Sequence, residues 1–464
     1  MSPTVPLPRD LLEWIEDLAS GQVSRAERQP GGARKEAWFV DVTRADGSLD
    51  ELFLRYDRST AAAAADPWTL HREAVVYLAL QDTDVGVPRV LGVHPEHQAM
   101  LSVRLHGANW FSRITDPEEQ VNTARDFMSR LVALHDLDPG TLHLPGFPSP
   151  TLSVPELVCH ELDEWEVILE ARGGEPDPAL RFSMRWLRQH IPPYDGPVVL
   201  VQGDTGPGNF MYRDGRVVAV VDWELAHLGD PMDDIAWLAL RSSQDPFPDF
   251  PQRLRDYEHL SGRLVDDDRV RYYQVMAETK LQVMRHRPAG AGSDHAADEG
   301  GGHDLGNGLI YAVFHRRLWL EALADATGLA PTPIEAAPDR QPTEYLVISD
   351  MLLNQLRDVV VPRISDPLAQ QRSKGFARVI KYLAALHADG PYYDDRELDD
   401  IAALVGARPA NVAAGRATVE AEARRGELSD LDYVGYLWRR VARENELMRA
   451  ASGALANRHW PALR

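Results

Sequence analysis

The sequence predicts an α+β protein in two lobes, a small one built on an antiparallel sheet and a larger helical one, followed by an all-helical domain. Three observations carry this. The first hundred residues alternate β-rich runs with glycine and Asp-Gly turns. The stretch Val198–Arg241 reads as strand, polar loop, β-hairpin, acidic loop and capped helix. Beyond a proline-rich linker (Ala330–Pro342, APTPIEAAPDRQP) the pattern is helical throughout. The expected divisions are 1–105 for the sheet lobe, 106–335 for the helical lobe and 340–464 for the helical domain.

A chain of 464 residues with 44% hydrophobic and 26% charged residues is long enough for several well-buried cores. Its net charge of −22 argues against a nucleic-acid partner, which needs a basic face, and against an anionic membrane surface. Cys159 is the single cysteine, so no intrachain disulfide can form, and a reducing, cytoplasmic setting is expected. No apolar run is long enough to span a bilayer.

In chain order, Leu11, Leu12, Ile15 and Leu18 recur at helical spacing, with Asp10 as the expected cap. Gly31-Gly32 then leads into a strand–turn–strand pattern, with Lys35 expected in the glycine turn and Asp46-Gly47 between the strands. Arg55 closes the second strand, and Thr69–Leu80 reads as a helix carrying Glu73. Two more runs, Val85–Val93 and Ala99–Leu105, complete the small sheet. Asp116–Leu134 is a helix running into His135, expected to be a packed side chain. After a Pro/Gly/Ser loop comes the acidic helical run around Glu161, then Ala179–His190. Asp230-Pro231 is a cap-then-proline helix start, with Asp233 and Asp234 in its first turn. The stretch Pro288–Gly308 is expected to be a loop, and its His295, His303 and Asp304 lack a metal-ligand spacing. In the helical domain breaks are expected near Pro362, Gly390-Pro391, Arg408-Pro409 and Gly426.

The central stretch holds the chemistry. Asp214-Gly215 favours a tight hairpin between Phe210–Arg213 and Arg216–Val221. That register sets Arg213 against Arg216 and Asn209 against Val220, with Asp222 just beyond. Asn209 and Asp222 therefore open onto one spot, and Asp204 lies in the glycine-bearing loop before them. Two carboxylates and an amide oxygen around one hairpin mouth suit a hard cation such as Mg²⁺ carrying phosphate.

These residues, Q-G-D-T-G-P-G-N followed by V-V-D-W-E, resemble the catalytic segment of the aminoglycoside phosphotransferase family, which shares the two-lobed protein-kinase-like fold. The resemblance implies that Asp204 is the base accepting the substrate hydroxyl proton, and that Asn209 and Asp222 hold Mg²⁺ against the ATP phosphates. It also implies that Gly31 and Gly32 cover the phosphates and that Arg55 pairs with Glu73 to position them. His106–Asn109 would be the adenine hinge. Arg55 stands where kinases carry lysine, and Lys35, the one lysine before Lys280, is an alternative phosphate contact. Gln202 stands where the family usually has His. Protein kinases themselves fit less well, since no H-R-D precedes Asp204 and Asp222-Trp223-Glu224 replaces D-F-G.

The implied activity is ATP-dependent phosphate transfer to the hydroxyl of a small molecule. The wording V-V-D-W-E-L-A-H-L-G-D-P is similar to the acyl-CoA-dehydrogenase-associated branch, whose acceptors are hydroxyacyl thioesters. Two alternatives stand beside it. One is an aminoglycoside O-phosphotransferase, which the acidic helix near Glu161 would suit. The other is a catalytically silent kinase-fold scaffold, suggested by Arg55 and Gln202. The 340–464 segment reads as a docking or dimerising module, through which a second copy or a partner protein would bind.

Overall fold

The computed structural model describes residues 7–29, 35–58, 67–286, 305–339 and 343–464. The chain opens with α1 (Arg9–Ala19), whose Leu11 and Ile15 are fully buried. The helix begins one residue before the expected cap. Asp10 sits in its first turn, accepting from its neighbour's N–H and bonded to His97. Strands β1 (Gly21–Arg28), β2 (Lys35–Arg44) and β3 (Leu49–Asp57) follow, then α2 (Leu70–Leu80) capped by Thr69. Strands β4 (Val90–Val93) and β5 (Gln98–Val103) complete an antiparallel sheet in the order β1-β2-β3-β5-β4.

Alternation across this sheet decides which residues reach the active cleft. Trp38, Val40, Val42, Leu52, Leu54 and Tyr56 pack with α1 as a separate small core. Their neighbours in sequence point to the other face, towards α2. Lys35 pairs with Asp57 and Ala37 with Arg55, so the two cations share that second face. Lys35 thus opens a strand rather than sitting in a turn, because its ladder with β3 extends to Asp57.

The helical lobe contains α3 (Pro117–His135), α4 (Val154–Arg172) and α5 (Pro178–Gln189). A short antiparallel pair, β6 (Val199–Val201) with β9 (His227–Gly229), brackets the hairpin β7 (Phe210–Arg213) and β8 (Arg216–Val220). Helices α6 (Pro231–Gln244), α7 (Phe250–Ser261), α8 (Asp267–Arg285) and α9 (Leu305–Thr327) surround them. This is the two-lobed, kinase-like arrangement expected from the sequence.

Four helices follow the linker: α10 (Glu344–Gln355), α11 (Pro367–Val405), α12 (Val412–Arg425) and α13 (Asp430–Ser452). Helix α11 runs straight through Gly390-Pro391, where a break was expected. Glycine before the proline has no Cβ to meet the ring, which removes one of the clashes that disfavour a helix there. The apolar interior does not stop at residue 340: Tyr433, Val434, Leu437 and Val441 of α13 lie in the same buried cluster as Phe182, Tyr272 and Trp319. Phe182 packs on Tyr433 with ring centroids 5.3 Å apart, and Arg316 pairs with Glu444 at 2.6 Å.

Candidate active site

The site is assembled from the hairpin outward. Asp214 and Gly215 both take positive φ (53° and 73°), the backbone that a two-residue turn between twisted strands requires. Arg213 faces Arg216 as expected, but the register slips between Met211 and Tyr212, and Phe210, not Asn209, stands opposite Val220. This bulge shifts Asn209 one place, so that its carbonyl accepts from the Val221 N–H at 2.9 Å. Asn209 thereby lies next to Asp222.

Asn209 donates through Nδ2 to both the carbonyl and Oδ2 of Asp204, each at 2.7 Å. Asp204 is held a second time by Arg241 on α6, whose Nε donates to Oδ1 at 2.7 Å and whose Nη2 donates to Oδ2. Burial pushes the Asp204 carboxyl above its ordinary range, against the pull of Arg241. The sequence reading missed Arg241, which meets Asp204 only through the folding of α6. The available signal was its i+7 spacing from Asp234, which places both on one helix face.

Asp234 organises the loop itself. Fully buried, it accepts the N–H groups of Gln202 and Gly203 at 2.9 and 3.0 Å, together with the Thr205 hydroxyl and His135. His135 also contacts the Tyr257 hydroxyl at 2.8 Å. Gln202 turns its amide the other way, donating to the carbonyls of Val221 and Asp222 at 2.9 and 3.0 Å. The Asp204 loop and the Asp222 loop are therefore tied to each other through Gln202.

Asp222 adopts a left-handed backbone, φ 65°. Its N–H donates to the Tyr77 hydroxyl of α2 at 3.1 Å, and Arg72 of the same helix donates to the carbonyls of Glu224 and Ala226 at 3.2 and 2.7 Å. Oδ1 of Asp222 is shielded and has no hydrogen-bond partner. Burial, with the neighbouring carboxylates Glu224, Glu73 and Asp204, pushes Asp222 up to about 7 despite Arg55 nearby. An orphaned oxygen amid crowded like charge is what a divalent cation would relieve, and the donor set of Asn209 and Asp222 is oxygen-rich, as Mg²⁺ requires.

Opposite these groups, both candidate cations enter the cleft. Lys35 lies 3.4 Å from Glu73 and 2.6 Å from Glu224, and Arg55 lies 3.7 Å from Glu73 and 4.0 Å from Asp222. Glu73 is completely buried. Burial works against the charge on Arg55, but Glu73 and Asp222 outweigh it and hold the guanidinium firmly charged. Gly31 and Gly32 lie outside the described residues, as do His295, His303 and Asp304. In the expected hinge, Ala108 exchanges both of its backbone hydrogen bonds with Tyr212 (2.9 and 2.8 Å), so those two groups are not open to adenine.

The acidic helix α4 does not present a free carboxylate row. Glu161 is buried 2.5 Å from Lys280, in a group with Asp233 and His227. Glu161, His227 and Asp233 are close enough to hold a metal ion, but the Lys280 ammonium already bridges the two carboxylates. Asp163 and Glu166 pair with Arg188, and Glu156 completes a capping box with Ser153.

Residues 26–299, more than half the chain, match the Phosphotransferase enzyme family, APH. The chain belongs to that family. Among curated relatives it is 30% identical over 109 residues to acyl-CoA dehydrogenase family member 11 of Gallus gallus, covering 23% of this chain and 14% of that one. It is 31% identical over 130 residues to the probable acyl-CoA dehydrogenase IBR3 of Arabidopsis thaliana, covering 26% and 15%. The chain thus matches only a small part of the length of these relatives. Among solved structures, a macrolide 2'-phosphotransferase of Brachybacterium faecium aligns over 63% of this chain and 97% of its own, with 20% identity and a TM-score of 0.43. Membership of a phosphotransferase enzyme family fits the site described above. No helix among the described residues is long and apolar enough to cross a membrane.

Proposed function

We propose that the chain transfers the γ-phosphate of ATP to a hydroxyl group, and that the acceptor is a hydroxyacyl thioester. The observation that carries the reading is the convergence of Asp204, Asn209 and Asp222 at one hairpin mouth, facing Lys35 and Arg55 across the cleft. Asp204 takes the proton that the attacking hydroxyl sheds. Arg241 and Asn209 fix the direction of its carboxylate. Lys35 and Arg55, anchored on Glu73, neutralise the phosphates of the nucleotide. Mg²⁺ would be held by Asn209 and Asp222, and when bound it supplies positive charge to the phosphoryl oxygens.

The thioester follows from two supports. The curated relatives are named as acyl-CoA dehydrogenases. Four of the acids of α4, Glu161, Asp163, Glu166 and Glu156, are already engaged with Lys280, Arg188 and Ser153, which leaves less for a polycationic aminoglycoside to bind. A cytoplasmic setting accords with the single thiol of Cys159. The intact triad of Asp204, Asn209 and Asp222 argues against a silent scaffold.

The test is a phosphate-transfer screen of hydroxyacyl-CoA esters beside aminoglycosides, with Asp204→Asn as control. The expected outcome is transfer to the thioesters, and a kcat lower by about 10²–10⁴ in the variant with ATP affinity changed only a few-fold. Wild-type turnover by Asp204→Asn on the true acceptor would refute the mechanism.

A further inference from the structure

Helix α2 lies in the chain between strands of the small sheet, yet it is tied to both lobes. On the sheet side, His71 donates through Nε2 to the carbonyls of His94 and His97, both at 2.9 Å, and Glu73 pairs with Lys35 and Arg55. On the helical side, Trp68 packs on Trp165 of α4 with ring centroids 5.0 Å apart. The Arg72 guanidinium lies 4.4 Å from the centre of the Phe147 ring, in the loop before α4. The same guanidinium donates to the Glu224 carbonyl through Nη1 at 3.2 Å and to the Ala226 carbonyl through Nη2 at 2.7 Å. Further along the helix, the hydroxyl of the buried Tyr77 accepts the N–H of Asp222 at 3.1 Å. Residues 72, 73, 76 and 77 fall on one face of a helix. The face that anchors Lys35 and Arg55 through Glu73 thus also fixes the backbone that presents the Asp222 carboxylate. That backbone is left-handed at Asp222, φ 65°, a conformation that persists where its surroundings over-determine it. The joint is packed: the cavity between Trp68, Arg72, Trp165 and Leu225 is about 30 Å³, room for water and not for a ligand.

We infer that Arg72 and Tyr77 are positioning residues for the metal site, acting through the backbone of residues 222–226 rather than by holding the metal themselves. The inference rests on the function proposed above, in which Asp222 holds Mg²⁺. Groups that orient a metal ligand matter nearly as much as the ligand, and their loss typically weakens binding by about 10–100-fold. Position 72 calls for arginine on geometric grounds. Its planar fork reaches two carbonyls two residues apart, whereas a lysine ammonium is a point charge on a flexible stem. Position 77 calls for tyrosine because phenylalanine would fill the same space and leave the Asp222 N–H without its acceptor.

The test is a Mg²⁺ titration of the thermal protection given to the full chain by a non-hydrolysable ATP analogue. The Mg²⁺ concentration at half-protection should rise by about 10–100-fold in Arg72→Met and in Tyr77→Phe, and by less in Arg72→Lys. Arg172→Met is the control. Arg172 also donates to two backbone carbonyls, those of Met284 and His286 at 2.9 and 3.4 Å, but outside the Asp222 loop. Its loss should leave the Mg²⁺ midpoint unchanged, whatever it does to Tm. A lower Tm with a wild-type midpoint in the Arg72 and Tyr77 variants would make both residues structural only and overturn the inference. Arg72→Lys and Tyr77→Phe keep that outcome readable if Arg72→Met does not fold. Absence of Mg²⁺-dependent protection in the wild-type chain is a different result: it overturns the function proposed above, and this inference with it.

Discussion

Arg241→Gln isolates what holds the proposed base in place. The side chains of Arg241 and Asp204 are 26% and 14% exposed, between the buried and the exposed extremes. Removing one partner of a fully buried pair costs about 3–5 kcal/mol, and an exposed pair contributes about 0–1 kcal/mol. Partial burial therefore sets the loss at roughly 2 kcal/mol, part of it from leaving the Asp204 carboxylate unpaired. For a chain of this size that corresponds to a Tm lower by about 2 °C. Asp204 keeps its Asn209 anchor but loses two donors, and a displacement on the order of 1 Å at a reacting group lowers kcat by about 10²-fold. Lys35, Arg55 and Glu73 are untouched, so the KM for ATP should move only a few-fold. Calorimetry and steady-state kinetics read both quantities, and Arg241→Lys, which retains charge but not the fork, should fall between. If Arg241→Gln kept wild-type kcat and Tm, the pair would have no part in positioning Asp204.

Other perturbations divide the remaining roles. Asp222→Asn should remove Mg²⁺-dependent protection by ATP in a thermal-shift assay while leaving the metal-free Tm near wild type; undiminished protection would exclude Asp222 as a ligand. Lys35→Ala and Arg55→Ala should each raise the KM for ATP, and the larger rise identifies the principal phosphate contact; no rise in either would remove the cleft cations from nucleotide binding. Burial lowers the His227 pKa but Glu161 and Asp233 outweigh it, so the folded value lies above the unfolded one. The stability His227 contributes is then fully present below its unfolded pKa and fades as pH rises through the folded value. The Tm deficit of His227→Asn should accordingly be larger at mildly acidic than at alkaline pH, and a pH-independent deficit would contradict this.

What was legible in the sequence follows the range of the forces involved. Local rules placed the Asp214-Gly215 turn, the cap at Asp230, the helix carrying Glu73 and the acidic loop after β8, since each is decided within a few residues. The bulge that shifts Asn209 beside Asp222 was not legible, because nothing in the residue types of 210–220 marks where a ladder slips. The contacts of Arg241 and Tyr77 were missed for another reason: each meets its partner across a large sequence separation, 37 residues for Arg241 and 145 for Tyr77. The acidic run of α4 read as suited to an aminoglycoside because its partners, Lys280 and Arg188, lie on other helices. The core shared between α13 and the helical lobe was likewise hidden behind a linker whose prolines mark a break in the chain but not in the packing.

The left-handed backbone at Asp222 narrows what evolution can do there. Few side chains accept that conformation, aspartate and asparagine among them, and of these only aspartate brings charge to a cation. One base change turns an aspartate codon into an asparagine codon. Drift at this position therefore has an open route to a descendant that folds as before and, on the function proposed above, has lost its hold on the metal. Retired copies of such a gene would be stable proteins rather than misfolded ones, and so remain available for recruitment to another task.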